Sequence, residues 1–247
     1  MNDAIDLHCH ILPGVDDGAA DWDASLGIAA ALVQAGFAGV APSPHYGEGP
    51  GGDVPIERAA SLRAELAERL RDAGIPLQVL PNAEHHVTPL LFDRLSRGAA
   101  VPIGESRWLL VELPWAGLPD PEGILFRLQT KGYKLLLAHP ERYRFLAPEM
   151  AGRLVARGVR MQLELGSFVG VYGERARTGA MTFVRAGWAH VLASDLHRAQ
   201  DAPRWLAGGV REIESRYGAA ELQRAVSNNP RQILADAAPD ALQPIGD

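Results

Sequence analysis

Seven strand-like stretches of this chain alternate with amphipathic, helix-like stretches along almost the whole sequence. They cover residues 5–10, 39–45, 77–86, 108–114, 133–142, 160–168 and 190–197. Strands that alternate with helices form a parallel sheet, and this number of repeats favours closure into a barrel. Two of the stretches contain LLLAH and HVLAS, which are apolar on both faces, as expected of strands that helices cover. The sequence therefore predicts an α/β barrel.

Capping residues and glycines mark the ends of the predicted helices. Asp21 or Asp23 is positioned to cap a helix that Gly36 ends. Asp120 with Pro121 begins another helix. No linker, low-complexity segment or internal repeat interrupts the alternation, so we expect residues 1–247 to form a single domain.

The composition excludes several classes of protein. A net charge of −6 without a basic run argues against a nucleic-acid groove, and no apolar run reaches the roughly 18 residues of a membrane span. The one cysteine, Cys9, excludes an intramolecular disulfide framework and fits a reducing compartment. Because the first residues, MNDAIDLHCH, also lack the basic and apolar regions of a secretory signal, we expect a cytoplasmic protein.

Side chains that bind metals or phosphate stand where nearly every predicted strand ends. They are His8, His10, His45, Glu84, Glu112, His139, Asp195 and His197. The carboxyl ends of the strands meet at one rim of an α/β barrel, where the active sites of such barrels lie. We therefore expect these imidazoles and carboxylates to converge on one site. Burying Glu112 alone in its apolar strand would cost several kcal/mol unless it is paired or binds a metal.

The first strand carries an HxH motif, which is a weak signal by itself. Because side chains alternate faces along a strand, the residues expected on the face of the site are Asp6, His8 and His10. Leu7 and Cys9 are expected to face away. Asp6 is then positioned to hydrogen-bond the outer ring nitrogen of a histidine ligand. Mixed imidazole and carboxylate sets suit Mn, Fe or Zn.

These motifs resemble those of a known protein family. DLHCHILPGVDDG, SPH, the Glu84 segment, VELPW, AHPERY and ASDLH are similar to the PHP (polymerase and histidinol phosphatase) superfamily. Within it they resemble the bacterial manganese-dependent tyrosine-protein phosphatases of the CpsB/CapC type, which are linked to capsule and exopolysaccharide synthesis. The resemblance runs from residue 4 to about residue 235. It implies a distorted (β/α)7 TIM-like barrel, the PHP fold.

The resemblance also implies a site of two or three metal ions, with Mn²⁺ expected and Fe or Zn compatible. The expected ligands of one ion are His8, His10, Glu84 and Asp195. Glu84 is expected to bridge to a second ion, which is completed by Glu112 and His139. The expected ligands of the third ion are Asp17, His45 and His197. His197 is counted among the catalytic residues as well.

Two features depart from the family pattern. His85-His86 stands beside Glu84 where an apolar or tyrosine-rich pair is more usual. We interpret His86 as a solvent-exposed residue in preference to an extra metal ligand. The loop that begins at His45-Tyr46 carries fewer basic residues than expected, which affects the contacts to substrate rather than the metal ligands.

Arg142 and Arg204 are the arginines expected to hold phosphate. Arg142 follows the predicted ligand His139, and its planar guanidinium can bind two phosphate oxygens. Glu141 is interpreted as its orienting partner. Arg204 is a candidate by rough position, and a solvated helix arginine is an equally good interpretation. Cys9 is not followed by the phosphate loop of cysteine-based phosphatases, so the expected nucleophile is a metal-bound hydroxide.

The resulting prediction is a protein-tyrosine phosphatase whose partner is a phosphotyrosine protein, expected to be a bacterial tyrosine kinase of polysaccharide export. A small-molecule phosphomonoesterase such as histidinol phosphatase is the alternative. An amidohydrolase is disfavoured because no lysine lies at a strand end, and a non-catalytic metal-binding module is disfavoured by the full ligand set. The sequence is also compatible with an oligomer.

Overall fold

The computed structural model describes residues 3–47 and 52–246 of the chain. The strands in these ranges are β1 Ala4–Cys9, β2 Phe37–Pro42, β3 His45–Tyr46, β4 Gln78–Val79, β5 Glu84–His86, β6 Trp108–Glu112, β7 Lys134–Ala138, β8 Arg160–Glu164 and β9 Ala189–Ala193. The predicted strands 39–45 and 77–86 are each split in two. Pro44 and Pro81 lie at these breaks, where proline removes the backbone donor that a continuous ladder needs.

All strand pairs in the described residues are parallel, in the orders β1-β2-β4 and β3-β5-β6-β7-β8-β9. Strands β2 and β3 together make up the second predicted strand, and β4 and β5 make up the third. The seven predicted strands therefore lie side by side in the order in which they occur in the chain. The last returns to the first: the amide of Asp195 donates to the His8 carbonyl (2.9 Å), and that of His10 donates to the Leu196 carbonyl (3.1 Å). A short bridge, Cys9 to Leu196, therefore joins the two edges. The predicted α/β class is confirmed.

Most of the helices lie between successive strands, and the last three follow β9. They are α1 Trp22–Gln34, α2 Ile56–Asp72, α3 Pro89–Ser96, α4 Pro121–Thr130, α5 Pro148–Ala156, α6 Leu165–Phe168, α7 Gly173–Arg185, α8 Ala202–Tyr217, α9 Ala219–Gln223 and α10 Asn229–Leu234. Asp21 rather than Asp23 caps α1, since its Oδ1 accepts from the Ala24 amide at 2.9 Å. Among the described residues, none of the helices combines the length and the apolar character needed to cross a membrane.

Alternate side chains of the strands enter two apolar clusters. Leu110 and Leu136 belong to the smaller cluster, which is formed mainly by strand residues. Leu109 and Leu135 belong to the larger cluster, together with helix residues such as Leu66. The strands are therefore buried on both faces, which is why their sequences are almost continuously apolar.

The first strand departs from this alternation. Leu7 packs in the smaller cluster and Cys9 in the larger one, so the prediction that they share a face is wrong. The reason is a shift in the β1–β2 register between Asp6 and Cys9, because such an irregularity interrupts the alternation of side chains. This irregularity lets β1 fill the small cluster and still deliver His8 to the rim.

Candidate metal centre

Four of the predicted ligands meet at the carboxyl ends of β1 and β9 and at the start of β5. The Nε2 atoms of His8 and His10 lie 3.3 Å apart, and both rings are buried. Asp195 Oδ1 lies 3.4 Å from each of these two nitrogen atoms. The two oxygens of Glu84 lie 3.4 Å from His8 Nε2 and 3.6 Å from His10 Nε2. The structure thus brings together the four ligands that were expected to hold one ion.

The outer nitrogens of the two histidines have partners of their own. His8 Nδ1 lies 3.1 Å from Gln162 Oε1, and His10 Nδ1 lies 3.0 Å from Asp16 Oδ2. Asp6 was predicted for this task, and that prediction is wrong. Because of the irregularity in β1, its carboxylate accepts from the backbone amides of His8 and Ser194 and ties β1 to β9 instead. Burial raises the pKa of Asp6 to about 6.

A second group of predicted ligands lies beside the first and shares Glu84. His139 Nε2 lies 3.0 Å from Glu84 Oε1 and 3.8 Å from Glu112 Oε1. His86 is buried, and its Nδ1 lies 2.9 Å from Glu112 Oε2, so its interpretation as solvent-exposed is wrong. The reason is register: His86 is the last residue of β5 and pairs with Glu112 at the end of β6.

The third predicted group stands at the mouth of the site. His45 Nε2 and His197 Nε2 lie 3.2 and 3.3 Å from Asp17 Oδ1. His197 Nδ1 donates to the Asp195 carbonyl at 2.8 Å, which leaves Nε2 free to act as a metal ligand. The ring of His197 stacks on that of His10 at 4.1 Å. The third group of ligands is therefore in direct contact with the first group.

The spacing of these donor atoms fits divalent ions. Two nitrogen or oxygen ligands, each about 2.1 Å from one ion, lie at most about 4.2 Å apart. The imidazole–carboxylate distances in the three groups run from 3.0 to 3.8 Å. Donor atoms of His10, Asp17, His45 and His197 also lie within 4.8 Å of one another. The donors are all imidazole nitrogens and carboxylate oxygens, which suits Mn, Fe or Zn.

The electrostatics of the cluster favour ionised carboxylates. Burial disfavours the charged form of Glu84, but His8 and His139 outweigh it and hold the pKa of Glu84 well below its ordinary range. The pKa of Asp195 is likewise held well below its ordinary range against burial, first by His8 and then by His10. The same carboxylates raise the pKa of His8 despite its burial. The cluster therefore favours bound cations, and metal ions would replace the protons on the imidazole nitrogens.

Two of the predicted ligands sit on strained backbone. His139 has a φ of 37° and Asp195 a φ of 49°, in the left-handed region that disfavours residues with a Cβ. Such residues cost about 1–3 kcal/mol each and cluster at functional sites. His139 follows β7 directly, and Asp195 is the second residue after β9. The turn at each position directs the side chain back over the rim.

Arg142 lies beside the cluster and is tightly held. Its Nη1 donates to Asp195 Oδ2 at 2.8 Å, and its guanidinium stacks on Tyr172 at 4.1 Å and on Trp115 at 4.9 Å. Burial opposes the charge on Arg142, but Asp195 outweighs it and raises the pKa further. Glu141, the predicted orienting partner, instead accepts from Ser167 Oγ at 2.7 Å. Asp195 therefore orients the arginine.

An open cleft of about 390 Å³ borders the cluster. Its lining residues are Asp17, Arg142, Tyr172, Asp195, His197, Arg198, Asp201 and Trp205. Arg198 is among them, whereas Arg204 is exposed in the first turn of α8 and is not. Trp115 stands at the rim, 40% exposed, and stacks on His139 with ring centroids 5.3 Å apart.

Sequence reasoning missed several residues that support the ligands or line the cleft. They are Asp16, Trp115, Gln162, Glu164, Tyr172 and Arg198. A signal for two of them was present, because Gln162 and Glu164 are polar residues at alternate positions of a strand that the helices bury. Trp115 and Tyr172 lie in loops, where no periodicity could have pointed to them.

Comparison with known proteins agrees with the geometry of the site. Residues 4–235 match the family described as "Capsular polysaccharide synthesis, CpsB/CapC". The tyrosine-protein phosphatase YwqE of Bacillus subtilis is 31% identical over 235 residues, covering 93% of this chain and 91% of YwqE. The tyrosine-protein phosphatase CpsB of Streptococcus pneumoniae is 24% identical over 246 residues, covering 94% of this chain and 98% of CpsB.

Solved structures extend the likeness to three dimensions. A crystal structure from a study of YwqE and CpsB, described as unique metal-dependent tyrosine phosphatases, superposes with a TM-score of 0.85 at 29% identity, covering 98% of this chain and 99% of that chain. The phosphotriesterase homology protein of Escherichia coli shares the fold alone, with a TM-score of 0.56 at 14% identity. The match over residues 4–235 and the relationship to YwqE show that this chain belongs to the CpsB/CapC family.

Proposed function

We propose that the chain is a metal-dependent protein-tyrosine phosphatase. The observation that carries this proposal is the position of Asp195. Its Oδ1 faces His8 and His10 in the candidate metal cluster, while its Oδ2 accepts from Arg142. A phosphoryl group at this junction would meet metal ions on one side and a guanidinium on the other. The relatives YwqE and CpsB, which are named tyrosine-protein phosphatases, support the same reaction.

Manganese is the ion that we propose, in two or three sites held by the three ligand groups. Iron and zinc are alternatives that the same nitrogen and oxygen donors would accept. Divalent ions there would activate water for attack and neutralise the charge of the phosphoryl group. Glu84 is the proposed bridging ligand, because its two oxygens face imidazoles of all three groups: His8, His139 and His45.

Arg142 is the proposed phosphate-binding residue. Its guanidinium is already fixed by Asp195 and by the rings of Tyr172 and Trp115, so little conformational entropy is lost when it binds an anion. Arg198 is our candidate for a second phosphate contact because it lines the cleft. Arg204, the contact predicted from the sequence, remains the alternative.

The leaving group of phosphotyrosine suits a site of this kind. Its phenolate has a conjugate acid with a pKa of about 10, so it needs less protonation than an alkoxide. The proposed substrate is a phosphotyrosine carried by a protein, and the proposed partner is a cytoplasmic tyrosine kinase of polysaccharide export. The open cleft and the partly exposed rim residue Trp115 support access by a side chain on a polypeptide. The family description, capsular polysaccharide synthesis, supports the partner.

Cys9 is unsuited to act as the nucleophile. It is fully buried, its Sγ donates to the Leu196 carbonyl at 3.4 Å, and it packs in the large apolar cluster. Burial raises the pKa of its thiol well above the ordinary value, whereas cysteine-based phosphatases need a thiolate.

The deciding experiment compares a phosphotyrosine peptide with histidinol phosphate as substrates of the manganese-loaded protein. We expect a higher kcat/KM for the peptide, loss of activity in excess chelator and recovery on adding Mn²⁺. Cys9→Ser is the matched control, which should keep its metals and most of its activity. A preference for histidinol phosphate would favour the small-molecule phosphomonoesterase. Activity that survives excess chelator would contradict the metal-dependent mechanism.

A further inference from the structure

A chain of buried polar side chains lies behind His8. Gln162 Oε1 lies 3.1 Å from His8 Nδ1, and Gln162 Nε2 donates to Glu164 Oε1 at 3.0 Å. All three residues have no solvent exposure. Gln162 and Glu164 are alternate residues of β8, so their side chains share the face of the strand that points toward His8. Neither residue has a role in the predicted ligand groups.

We propose that Glu164 and Gln162 act as a relay that sets the tautomer of His8. Glu164 Oε1 accepts a hydrogen bond from Gln162 Nε2 at 3.0 Å, as an ionised carboxyl group or one protonated on Oε2 can do. It therefore holds the NH2 group of Gln162, which leaves Oε1 of the amide facing His8. Because an amide oxygen also only accepts, His8 must carry its proton on Nδ1. The lone pair of His8 is then on Nε2, which faces Glu84 and Asp195.

The neighbouring histidine shows the simpler version of the same arrangement. Asp16 contacts His10 Nδ1 directly at 3.0 Å, without an amide between them. Both histidines of the HxH motif therefore have an acceptor behind Nδ1, and both direct Nε2 into the cluster. Such outer partners fix the orientation of histidine ligands, and their removal typically lowers metal affinity about 10–100-fold.

The end of β8 is itself held in place. The backbone amide of Glu164 donates to Glu141 Oε1 at 2.9 Å, and Ser167 Oγ donates to the same oxygen. Glu141 lies in the turn that carries Arg142 and follows His139. This anchoring fixes the position of Glu164 relative to the rim, so the relay reaches His8 from a rigid support. The inference rests on the metal centre proposed above but not on the identity of the substrate.

Two single substitutions test the relay in the full-length protein. Gln162→Leu removes the acceptor behind His8, and we expect about a 10–100-fold loss of Mn²⁺ affinity, measured by competition with a chelator. Glu164→Gln leaves two amides side by side, so the Gln162 amide can turn its NH2 group toward His8. In this variant ¹⁵N spectra of the metal-free protein should show His8 losing its Nδ1-protonated form. Gln129→Leu, which removes a surface amide that donates to the Arg157 carbonyl, should change neither quantity.

A double substitution separates the relay from simple loss of shape. Gln162→Glu combined with Glu164→Gln puts a carboxylate behind His8 and an amide behind that carboxylate, so the acceptor at Nδ1 returns. We expect its Mn²⁺ affinity to exceed that of both single variants. A double variant no better than the singles would overturn the proposal.

Further outcomes would also contradict the relay. Unchanged affinity and an unchanged His8 tautomer in Glu164→Gln would mean that Glu164 is not a positioning residue. Loss of a whole ion from Glu164→Gln would make Glu164 a direct ligand, since donor atoms of His8, His139 and Glu164 lie within 4.8 Å of one another. All readouts are taken without substrate, so a failure of the phosphatase proposal would leave them unaffected. If Gln162→Leu does not fold, the spectrum of Glu164→Gln still decides.

Discussion

Each carboxylate of the rim contacts more than one imidazole or guanidinium group, and this sharing organises the site. Glu84 lies within 3.7 Å of His8, His10, His45 and His139. Asp195 similarly contacts three histidines, His8, His10 and His197, as well as Arg142. Replacing Glu84 or Asp195 should therefore disturb more than one ligand group. Replacing a residue that contacts a single ligand should disturb only that ligand.

Glu84→Ala tests the proposed bridging role. Because both oxygens of Glu84 face several imidazoles, we expect the variant to lose more than one ion per chain by elemental analysis. Glu122→Ala is the control, since this carboxylate pairs with Arg153 away from the rim. Unchanged metal stoichiometry in Glu84→Ala would mean that the carboxylate bridges nothing.

Arg142→Ala should reduce turnover while the metals remain bound. The loss of a charge-assisted hydrogen bond to phosphate costs about 1.5–3 kcal/mol, which corresponds to roughly one to two decades in kcat/KM. Arg142→Lys should rescue only part of this loss, because an ammonium lacks the planar fork that stacks between Trp115 and Tyr172.

Phosphate inhibition provides the comparison for Arg142. Inorganic phosphate should inhibit the unmodified protein more strongly than Arg142→Ala. Parallel measurements on Arg198→Ala and Arg204→Ala would show which of these arginines adds a second contact. Unchanged kinetics and equal phosphate inhibition in Arg142→Ala would make Arg142 a structural residue of the rim.

His190 makes stability depend on pH. Burial, followed by the nearby Arg160, lowers the pKa of His190 from 6.5 to about 3. Below pH 6.5 the His190 imidazole takes up a proton in the unfolded chain, but in the folded chain it stays neutral down to about pH 3. The contribution of His190 to the free energy of unfolding is therefore complete above pH 6.5. It falls by up to about 1.4 kcal/mol per pH unit as the pH drops toward 3.

His190→Gln should flatten this dependence. We expect the free energy of unfolding of the metal-free variant, measured by urea denaturation, to fall less between pH 6.5 and 4.5 than that of the unmodified protein. Its stability at pH 7.5 should be lower, because the amide of Met161 donates to the His190 ring at 3.3 Å. Equal slopes for the two proteins would contradict the assignment.

At the scale of elements, the candidate ligands lie at the termini of strands or just beyond them. Strand β5 begins at Glu84 and β6 ends at Glu112, and the site residues His139 and Asp195 follow β7 and β9. Local signals predicted most of these elements. Helix α3, Pro89–Ser96, was missed because it is short, although Pro89 occupies the usual first position of a helix.

The cap of α1 provides a test of one such local signal. Asp21→Ala removes the acceptor for the Ala24 amide and should lower the free energy of unfolding by about 0.5–2 kcal/mol. Asp21→Asn keeps a side-chain acceptor and should stay close to the unmodified protein. Equal losses for both variants in denaturant titrations would mean that charge, rather than capping, accounts for the effect.

For the whole molecule, the candidate ligands extend from His8 in β1 to His197 beyond β9. They therefore connect the beginning of the sheet to its end, where the backbone is joined by a short bridge. We propose on this basis that residues 1–247 work as a single domain. Metal ions in the cluster would cross-link strands that are far apart in sequence.

Loading with Mn²⁺ should raise the melting temperature of the whole chain. An ion that binds only the folded state, at 100 times its Kd, adds about 2.7 kcal/mol. At roughly 2–4 °C per kcal/mol for a chain of this length, the rise should be on the order of 5–10 °C. Scanning calorimetry with Mn²⁺ and with chelator measures it, and Glu84→Ala should show a smaller difference. Equal melting temperatures with Mn²⁺ and with chelator would exclude cross-linking by the metal centre.

The sequence by itself determined the alternation of strands and helices, the ligand-type residues at the strand ends and the family. These features depend on local periodicity and on residue types, which a linear pattern carries. Only the tertiary structure decided that His86 is buried against Glu112, that Gln162 and Asp16 support the histidines, and that Asp195 orients Arg142. The register shift in β1 and the pairing across strands depend on residues far apart in sequence, and no local pattern records those contacts.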